Sequence, residues 1–549
     1  MGGGRHVCGN RCCGQWDPHH RGGGRVPRRR IPGHDMSTPT ETASESTGPE
    51  AVRHRISQEG ALARPLRRVF ALLAERPHSL RELVRVCGTP RRTVEELLAL
   101  AGADVENLPE GYRLAERALA DYRARVLDER PAGRSSHEAA ELLRGFVAGG
   151  PTPATALDHV TATPETALRR AEWMRDNYEL DGTRLLLLGD HDLTSLATCL
   201  LAPGVRATVV DVDERILAHI DGIAAEHGLA VHTVHADLRF GLPPSLAGGF
   251  DLVFSDPPYT PEGIGLFATR ALEGMSGTAA RLLLAYGFSS RSPALGHKVQ
   301  RELLRLGLVF ENIVTGLNEY EGAQAIGSTS DLYVCQPTGQ ARRSVERHKH
   351  RIYTHGPQSV EGDPEEVTPE LVDAVASVVG TAVEGPRPVG WQRPLRGGTG
   401  TPLFDLRSDP GPWLVRMLLA CNADQAAFLV DNRHPDITSE HAQQALTELV
   451  DGKYTLRFHR STPDATHAVV SARARGAQGG VAGYLLHRAH GKLTNTWREA
   501  LIAHSETPLT KKEAAAHVAA LVPDAADLRL RLIDLPRHRL NALLHSEGV

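Results

Sequence analysis

The stretch that decides the fold runs from residue 184 to residue 192 and reads Arg-Leu-Leu-Leu-Leu-Gly-Asp-His-Asp. A short, continuous apolar run that ends in glycine and acidic residues is typical of a buried parallel strand followed by a ligand-binding turn. The same pattern returns at residues 207–213, 231–237 and 250–259. Segments with the spacing of amphipathic helices lie between these runs. The alternation predicts an α/β domain built on a doubly wound, Rossmann-like parallel sheet.

Four successive predicted strands end in carboxylates, which makes this edge of the sheet the candidate site. The carboxyl ends of parallel strands meet at one edge, where α/β proteins bind their ligands. The predicted cofactor-binding residues follow the first three strands and are Gly189, Asp190, Asp192, Asp211, Val212, Asp213 and Asp237. We expect Asp211 to accept from both ribose hydroxyls of a nucleoside, Val212 to lie on the adenine face, and Asp237 to accept from the adenine amino group. This order of side chains favours an adenosyl-sulfonium ligand.

The fourth strand ends in the tetrapeptide Asp256-Pro257-Pro258-Tyr259. The prolines stiffen the turn and fix the direction of Asp256 and of the exposed carbonyl groups. These acceptors can hold an amine with its lone pair aimed at the electrophilic carbon of the donor. At this place in the fold the tetrapeptide predicts alkyl transfer to nitrogen.

Residues 154–335 resemble the catalytic domain of the N(4)-bis(aminopropyl)spermidine synthases, the branched-chain polyamine synthases. The matching stretches occur in family order at residues 157–158, 163–166, 188–195, 211–215, 237–243, 255–258 and 318–320. The resemblance implies aminopropyl transfer from decarboxylated S-adenosylmethionine to a polyamine nitrogen, which gives a branched polyamine. It also implies an N-terminal winged-helix-like domain.

Two departures from the family pattern bear on the donor and the acceptor. His191 replaces the middle aspartate of the family's Gly-Asp-Asp-Asp loop, and Tyr259 replaces the glutamate of its Asp-Pro-Pro-Glu. Asp-Pro-Pro-Tyr is typical of S-adenosylmethionine-dependent amino methyltransferases, in which the ring stacks on a flat substrate. Asp190 and Asp192, however, would repel the carboxylate of ordinary S-adenosylmethionine and attract the ammonium of the decarboxylated donor. Aminopropyl transfer is the favoured prediction, and methyl transfer to an amine or nucleobase is the alternative.

The predicted reaction is a nucleophilic displacement in which a protonated amine must first lose a proton. Asp256 or Asp158 would accept that proton as the catalytic residue. The predicted substrate contacts are Pro257, Pro258, Tyr259 and Glu165. The mechanism needs no metal, and we predict none.

The N-terminal part of the chain is predicted to hold a winged-helix domain over residues 59–135. Three short helices and a hairpin are indicated between residues 61 and 115, with Arg91 and Arg92 at the start of the third helix. These arginines could contact DNA, but a domain used only for packing is favoured over nucleic-acid binding. A DNA-binding regulator that senses a ligand through an inactive core is the alternative from a different functional class.

Length and composition set the remaining expectations. The 549 residues carry 62 basic and 66 acidic side chains, a net charge of −4, which argues against a protein coated in nucleic acid. Seven cysteines are too few and too scattered for a disulfide framework, and no apolar stretch is long enough to cross a membrane, so a cytoplasmic location is expected. A homodimer is left open. The predicted organisation is a disordered leader (1–58), the winged-helix domain, a transferase core (150–340), a linker (341–400) and an accessory α or α/β domain of unknown role (401–549).

Overall fold

The computed structural model describes residues 47–127, 133–341, 351–356, 358–362, 366–397, 400–476, 479–522 and 524–546. The part of the predicted leader before residue 47 lies outside these ranges. The described residues belong to one compact unit. None of the helices described is long and apolar enough to cross a membrane.

The N-terminal part is a small helical bundle with a hairpin. Its elements are α1 Pro49–Ser57, α2 Arg64–Glu75, α3 Leu80–Cys87, α4 Arg91–Ala101, β1 Val105–Leu108, β2 Gly111–Leu114 and α5 Leu119–Arg125. The three predicted helices are confirmed, and Ser79 caps α3 by accepting from Glu82 N. The prediction of disorder through residue 58 is wrong at its end. Val52 and Ile56, one helical turn apart, make α1 amphipathic and are buried in the core of the bundle.

The central part is the predicted Rossmann-like α/β core. Its helices are α6 Ser136–Ala148, α7 Pro164–Asn177, α8 Thr194–Leu201, α9 Glu214–His227, α10 Pro261–Gly274 and α11 Pro293–Arg305. Its strands are β3 Arg184–Leu188, β4 Arg206–Asp211, β5 Val231–His235, β6 Leu252–Ser255, β7 Arg281–Tyr286, β8 Leu308–Glu319 and β9 Thr329–Pro337.

These strands form one sheet in the order β5-β4-β3-β6-β7-β9-β8. The first five are parallel, and β9 is antiparallel to both of its neighbours. The strand order reverses direction beside β3, so the topological switch point lies between β3 and β6. The apolar strand residues are buried on both faces, as the continuous runs of Leu and Val predict.

The C-terminal part adds a second α/β layer. Its helices are α12 Pro369–Val379, α13 Trp413–Ala420, α14 Glu440–Val450, α15 Gly480–His487, α16 Leu493–His504, α17 Lys511–Leu521 and α18 Arg537–Leu544. Its strands are β10 Val383–Arg387, β11 Leu395–Arg396, β12 Thr401–Leu406, β13 Cys421–Asn422, β14 Gln425–Asp431, β15 Tyr454–His459 and β16 His467–Ala474. The main sheet has the order β10-β12-β14-β16-β15.

The linker predicted over residues 341–400 differs from the structure. Helix α12 and strand β10 lie inside that range, and β10 is the edge strand of the C-terminal sheet. Val375 of α12 is buried against the strands of this sheet. Gly385 and Pro386 lie within strand β10 itself. The C-terminal layer therefore begins by Pro369.

Candidate active site

A cavity of about 400 Å³ opens at the carboxyl edge of β3, β4, β5 and β6. Six carboxylates line it: Asp158, Asp190, Asp192, Asp211, Asp237 and Asp256. Other lining residues are Arg170, Gly189, His191, Val212, Pro257, Pro258, Tyr259, Tyr320, Tyr353, Thr354 and His355. The structure therefore brings together most of the residues that the sequence nominated. Asp213 and Glu165 do not line this cavity.

The turn after β3 aims a carboxylate into the cavity. Gly189 has a positive φ of 74°, which lets the chain turn sharply at the end of the strand. Asp190 then caps helix α8, because Ser195 N donates to its Oδ2 at 3.1 Å. Burial raises the pKa of the Asp190 carboxyl to about 7. Among the described residues its oxygens accept only from the first turn of α8, so they keep acceptor capacity on the cavity side.

Asp192, by contrast, is already paired. Its Oδ2 accepts from Arg170 Nη1 at 3.0 Å and its Oδ1 from Ala162 N at 2.9 Å. Burial opposes its charge, but His191 and Arg170 outweigh burial and lower its pKa to about 2. The negative charge of Asp192, which we predicted from the sequence to attract the donor's ammonium, is therefore largely neutralised by a cation from helix α7.

That cation, Arg170, is the functional residue that the sequence reasoning missed most clearly. Its side chain is buried and projects from α7 over the Phe254 ring at 5.0 Å. It donates through Nη2 to Asp256 Oδ2 at 2.6 Å, in addition to its bond with Asp192. Its Nε donates to Asn318 Oδ1 at 2.7 Å. One guanidinium thus joins the loops after β3 and β6 to strand β8.

Asp256 lies at the centre of a polar network. Tyr259 OH donates to its Oδ1 at 3.0 Å, and Tyr320 OH donates to its Oδ2 at 2.8 Å. The two phenol groups lie 2.8 Å apart, and both contact Ser330 Oγ. Burial raises the pKa of Asp256, and Arg170 opposes that effect. The hydroxyl of Tyr259 is therefore engaged, while its ring still lines the cavity.

The two aspartates of the loop after β4, Asp211 and Asp213, have different surroundings. Asp211 lines the cavity and accepts from the backbone N–H groups of Asp213 and Asp190 at 2.8 and 3.2 Å. Burial raises the pKa of Asp211 to about 6. Asp213 caps helix α9 instead, and both its oxygens accept from Arg215. The prediction that Asp213 binds the cofactor directly is not matched by its position. Its side chain is instead engaged by Arg215, in the first turn of α9, through both the backbone N–H and the guanidinium.

Asp237, after β5, is held from two sides. Arg239 donates to both oxygens, with Nε 2.8 Å from Oδ1 and Nη2 2.5 Å from Oδ2. Trp413 of the C-terminal layer donates from Nε1 to Oδ2 at 2.9 Å. Burial disfavours the charge of Asp237, but Arg239 overcomes burial and the pKa of Asp237 is lowered. The carboxylate therefore stays ionised and fixed in orientation at the cavity wall.

Asp158 closes another side of the cavity. Its backbone has a positive φ of 55°, a conformation that aspartate tolerates better than most residues. Thr354 donates to Asp158 from both N and Oγ1, at 2.6 and 2.7 Å. The segment around Thr354 thus lies over the cavity and is tied to the loop before α7.

Glu165 is a correction to the predicted substrate contacts. It lies in the first turn of α7 with about half of its side chain exposed, and it pairs with Arg144 at 3.3 Å. Arg170 occupies the inward face of the same helix. Five residues of helix turn by about 500°, which places the two side chains about 140° apart. The cavity face of α7 is therefore basic rather than acidic.

His191, which stands where the family has an aspartate, packs against His159 in a tilted arrangement with ring centroids 4.5 Å apart. Both ring nitrogens of His191 are buried and have no hydrogen-bond partner among the described residues. Nδ1 lies 4.0 Å from Asp192 Oδ1. Burial favours the neutral ring, but Asp192 prevails and the pKa of His191 is raised. Burial and His191 lower the pKa of His159 to about 4, so the pair carries at most one positive charge near neutral pH.

A possible metal-ligand cluster lies elsewhere in the described chain. The ligand atoms of His232, Asp524 and Asp527 lie within 4.8 Å of one another. Asp527 is engaged by Arg539 Nη1 at 2.6 Å, and none of the three residues lines the cavity. An arginine on the carboxylate competes with a cation, so this group does not fit a metal site.

The part of the chain that builds the cavity is similar in sequence to known proteins. Residues 138–356 match the family model described as the branched-chain polyamine synthase A C-terminal domain. The N(4)-bis(aminopropyl)spermidine synthase of Thermococcus kodakarensis is 33% identical over 187 residues, which are 33% of this chain and 53% of that protein. An uncharacterised protein of Methanocaldococcus jannaschii is 34% identical over 200 residues, which are 36% of this chain and 50% of that protein.

A solved relative is the branched-chain polyamine synthase of Thermus thermophilus, in complex with N4-aminopropylspermidine and 5'-methylthioadenosine. It is 25% identical with a TM-score of 0.36, and the match covers 55% of this chain and 96% of that one. The chain spans about half the length of the curated relatives it matches. The range of the family match, 138–356, includes the residues that line the cavity. Residues 138–356 of the chain are therefore similar to the branched-chain polyamine synthases.

Proposed function

We propose that this protein transfers an aminopropyl group from decarboxylated S-adenosylmethionine to a nitrogen of a polyamine. One observation carries the proposal: the residues that match the family are those that build a cavity lined by six carboxylates. The ammonium of the donor and the ammonium groups of a polyamine are cations, and a cavity with excess negative charge favours both.

The donor has a natural position in this cavity. Asp211 would accept from the ribose hydroxyls, Val212 would lie against the adenine, and Asp237 would accept from the adenine amino group. Gly189 leaves room for the sulfonium end at the tip of β3. Asp190 is the carboxylate that keeps acceptor capacity there, so it is the better partner for the donor's ammonium. Asp192 acts on the donor less directly, because its charge is shared with Arg170.

The chemical step is a displacement at carbon. The lone pair of the attacking nitrogen forms a bond to the propyl carbon next to the sulfonium, and the carbon–sulfur bond breaks. The electron pair of that bond goes to sulfur, which leaves as the neutral thioether of 5'-methylthioadenosine. The nitrogen must give up one proton, and Asp256 is our candidate acceptor because burial raises the pKa of its carboxyl. Holding nitrogen and carbon in line supplies the remaining acceleration.

The acceptor amine would lie between Asp256 and Asp158. Both carboxylates line the cavity, and Pro257 and Pro258 line it next to Asp256. Glu165 takes no part, because it points to solvent. Tyr259 donates a hydrogen bond from its hydroxyl to Asp256. The usual Asp-Pro-Pro-Glu pattern of the family has a charged glutamate at this position. We infer a substrate with fewer charges near the reacting nitrogen than a site with that glutamate would hold.

Methyl transfer from ordinary S-adenosylmethionine is the second candidate, and Asp-Pro-Pro-Tyr is the observation that favours it. A free aromatic ring at this position could stack on a flat substrate. Here the hydroxyl of Tyr259 bonds to Asp256 and Ser330 and its ring packs edge-on against Tyr286 at 5.5 Å. These contacts restrain the ring and favour a polar role over a stacking role.

The experiment is a comparison of two labelled donors. The protein is incubated with decarboxylated S-adenosylmethionine labelled in the propyl group, or with S-adenosylmethionine labelled in the methyl group, and a panel of polyamines and nucleosides. Transfer of the propyl label to a polyamine supports the proposal. Transfer of the methyl label alone supports the second candidate and refutes the first.

We also propose that residues 59–127 form a winged-helix domain that packs rather than binds DNA. Helices α2, α3 and α4 are followed by the hairpin β1–β2, and His78 adds a bridge to Tyr112 of that hairpin. Arg91 at the start of α4 is exposed but paired with Glu95 at 2.8 Å. A paired arginine is less available to a phosphate. The regulator hypothesis would require strong, salt-dependent binding of duplex DNA.

A further inference from the structure

The C-terminal layer fills a place that a crossover helix usually occupies. Between β5 and β6 the chain forms only the short turn Pro244–Leu246, although parallel strands are commonly joined through a helix. Val234 of β5 and Leu418 of α13 belong to one continuous apolar core. The face of the sheet beside the adenine end of the cavity is therefore covered by residues that lie outside the family match at 138–356.

Trp413, the first residue of α13, reaches the cavity wall from this layer. Its indole Nε1 donates to Asp237 Oδ2 at 2.9 Å, and both residues are almost completely buried. The contact joins residues 176 positions apart in the chain. A buried hydrogen bond to a carboxylate is among the stronger kinds, and it fixes the direction of the acceptor.

The same indole also restrains the cation that pairs with Asp237. The guanidinium of Arg239 lies 5.0 Å from the Trp413 ring and 5.2 Å from the Tyr353 ring. Arg239 is therefore held between two aromatic faces while it donates to both oxygens of Asp237. Tyr353 lines the cavity too, so the whole arrangement stands directly behind the proposed adenine position.

We propose that Trp413 is a positioning residue for recognition of the donor's base: it orients Asp237 toward the adenine amino group, so the C-terminal layer sets the base specificity of the transferase core. The inference rests on the proposed function, because it assumes that an adenine nucleoside occupies the cavity. It assigns a role to a region that the family match does not cover.

The chemistry makes base specificity the property to measure. Adenine presents an amino donor to Asp237, whereas hypoxanthine presents a carbonyl oxygen that a carboxylate repels. The two bases are otherwise nearly the same in shape. A variant that loosens the whole pocket weakens both nucleosides together, but a variant that misdirects Asp237 reduces only the preference for adenine.

The experiment uses the full chain and titrates 5'-methylthioadenosine and 5'-methylthioinosine into wild type and variants by calorimetry. Trp413→Phe removes the N–H and keeps an aromatic ring. We expect its preference for the adenine nucleoside to fall about two- to tenfold, the range for one buried hydrogen bond. Asp237→Asn is the reference and should lose most of the preference.

Trp391→Phe is the matched control. Trp391 is buried in the same aromatic cluster, with its ring 6.4 Å from that of Trp413, but makes no hydrogen bond to Asp237 in the described structure. Its preference for adenine should equal that of wild type. An unchanged preference in Trp413→Phe, or an equal fall in both tryptophan variants, overturns the inference and leaves the proposed function standing. Failure of wild type to bind either nucleoside refutes the proposed function itself, and the inference with it.

Discussion

The carboxylate of Asp190 offers the sharpest test of how the donor is selected. The change is Asp190→Asn, which removes the charge and nearly preserves the shape. The asparagine oxygen can still accept from Ser195 N, so the cap of helix α8 is kept. Loss of a charge-assisted hydrogen bond to the donor's ammonium costs roughly 1.5–3 kcal/mol, or about ten- to a hundredfold in affinity.

Ordinary S-adenosylmethionine should respond differently to the same change. In the proposed donor position its carboxylate would lie near Asp190 and be repelled by it, so Asp190→Asn should weaken its binding less or improve it. Asp211→Asn is the control, because both donors share the ribose and should weaken together. Calorimetry with both nucleosides on wild type and the two variants measures these differences.

The pH dependence of binding follows from the same group. Burial raises the pKa of Asp190 to about 7, and the donor's ammonium selects the ionised form. The ionised fraction falls from about nine-tenths at pH 8 to about one-tenth at pH 6, so affinity for the decarboxylated donor should fall roughly tenfold over this range. Asp190→Asn should not show this fall.

The free energy of unfolding of Asp190→Asn shows whether weaker donor binding comes from the lost carboxylate or from an unfolded protein. The pKa of Asp190 is raised from 3.8 to about 7 in the folded state, so ionisation opposes folding. The cost is absent below pH 4, grows as pH rises to 7 and then stays constant. Asp190→Asn should therefore be more stable than wild type at pH 8, by on the order of 2–4 kcal/mol, as chemical denaturation would measure.

Equal weakening of both donors by Asp190→Asn, together with a wild type that prefers ordinary S-adenosylmethionine, would refute the role of Asp190 in donor selection.

Three further predictions concern other parts of the molecule. Arg170→Met leaves two buried carboxylates without their cation, and the free energy of unfolding at pH 7 should fall by about 3–5 kcal/mol in denaturant titrations; a loss below 1 kcal/mol would contradict the pairing. Tyr259→Phe removes a hydrogen-bond donor from Asp256, so turnover should fall about tenfold with little change in melting temperature. Glu165→Gln is the exposed control and should react like wild type. Equal turnover in the two variants would show that the hydroxyl of Tyr259 has no role in turnover. Changing Arg91 and Arg92 together to Ala should leave turnover unchanged, and a loss of duplex DNA binding on this change, measured over a range of salt concentrations, would support the regulator hypothesis instead.

The core of the fold was predictable because its signal is local. The apolar runs at residues 184–188 and 252–255 each end in a turn with acidic side chains, and parallel strands place such turns at one edge. Asp190, Asp211, Asp237 and Asp256 accordingly meet at one cavity.

The partners of these carboxylates could not be predicted, because they come from distant parts of the chain. Arg170 is a single arginine on a helix, and nothing in its local sequence indicates that it faces inward. Tyr320 lies in the stretch 318–320 that matched the family, so its sequence carried a signal without a role. Trp413 meets Asp237 only through the packing of the C-terminal layer. The sequence prediction treated Asp192 as an unpaired carboxylate, whereas in the folded chain it is paired with Arg170.

The central claim is best tested by identifying both products of one reaction. The protein is incubated with decarboxylated S-adenosylmethionine and spermidine, and the polyamine and the nucleoside are quantified by mass spectrometry. The account predicts one 5'-methylthioadenosine for each aminopropyl group added, and a product branched at a secondary nitrogen of the polyamine. It is contradicted if the decarboxylated donor yields neither product while ordinary S-adenosylmethionine yields S-adenosylhomocysteine and a methylated acceptor.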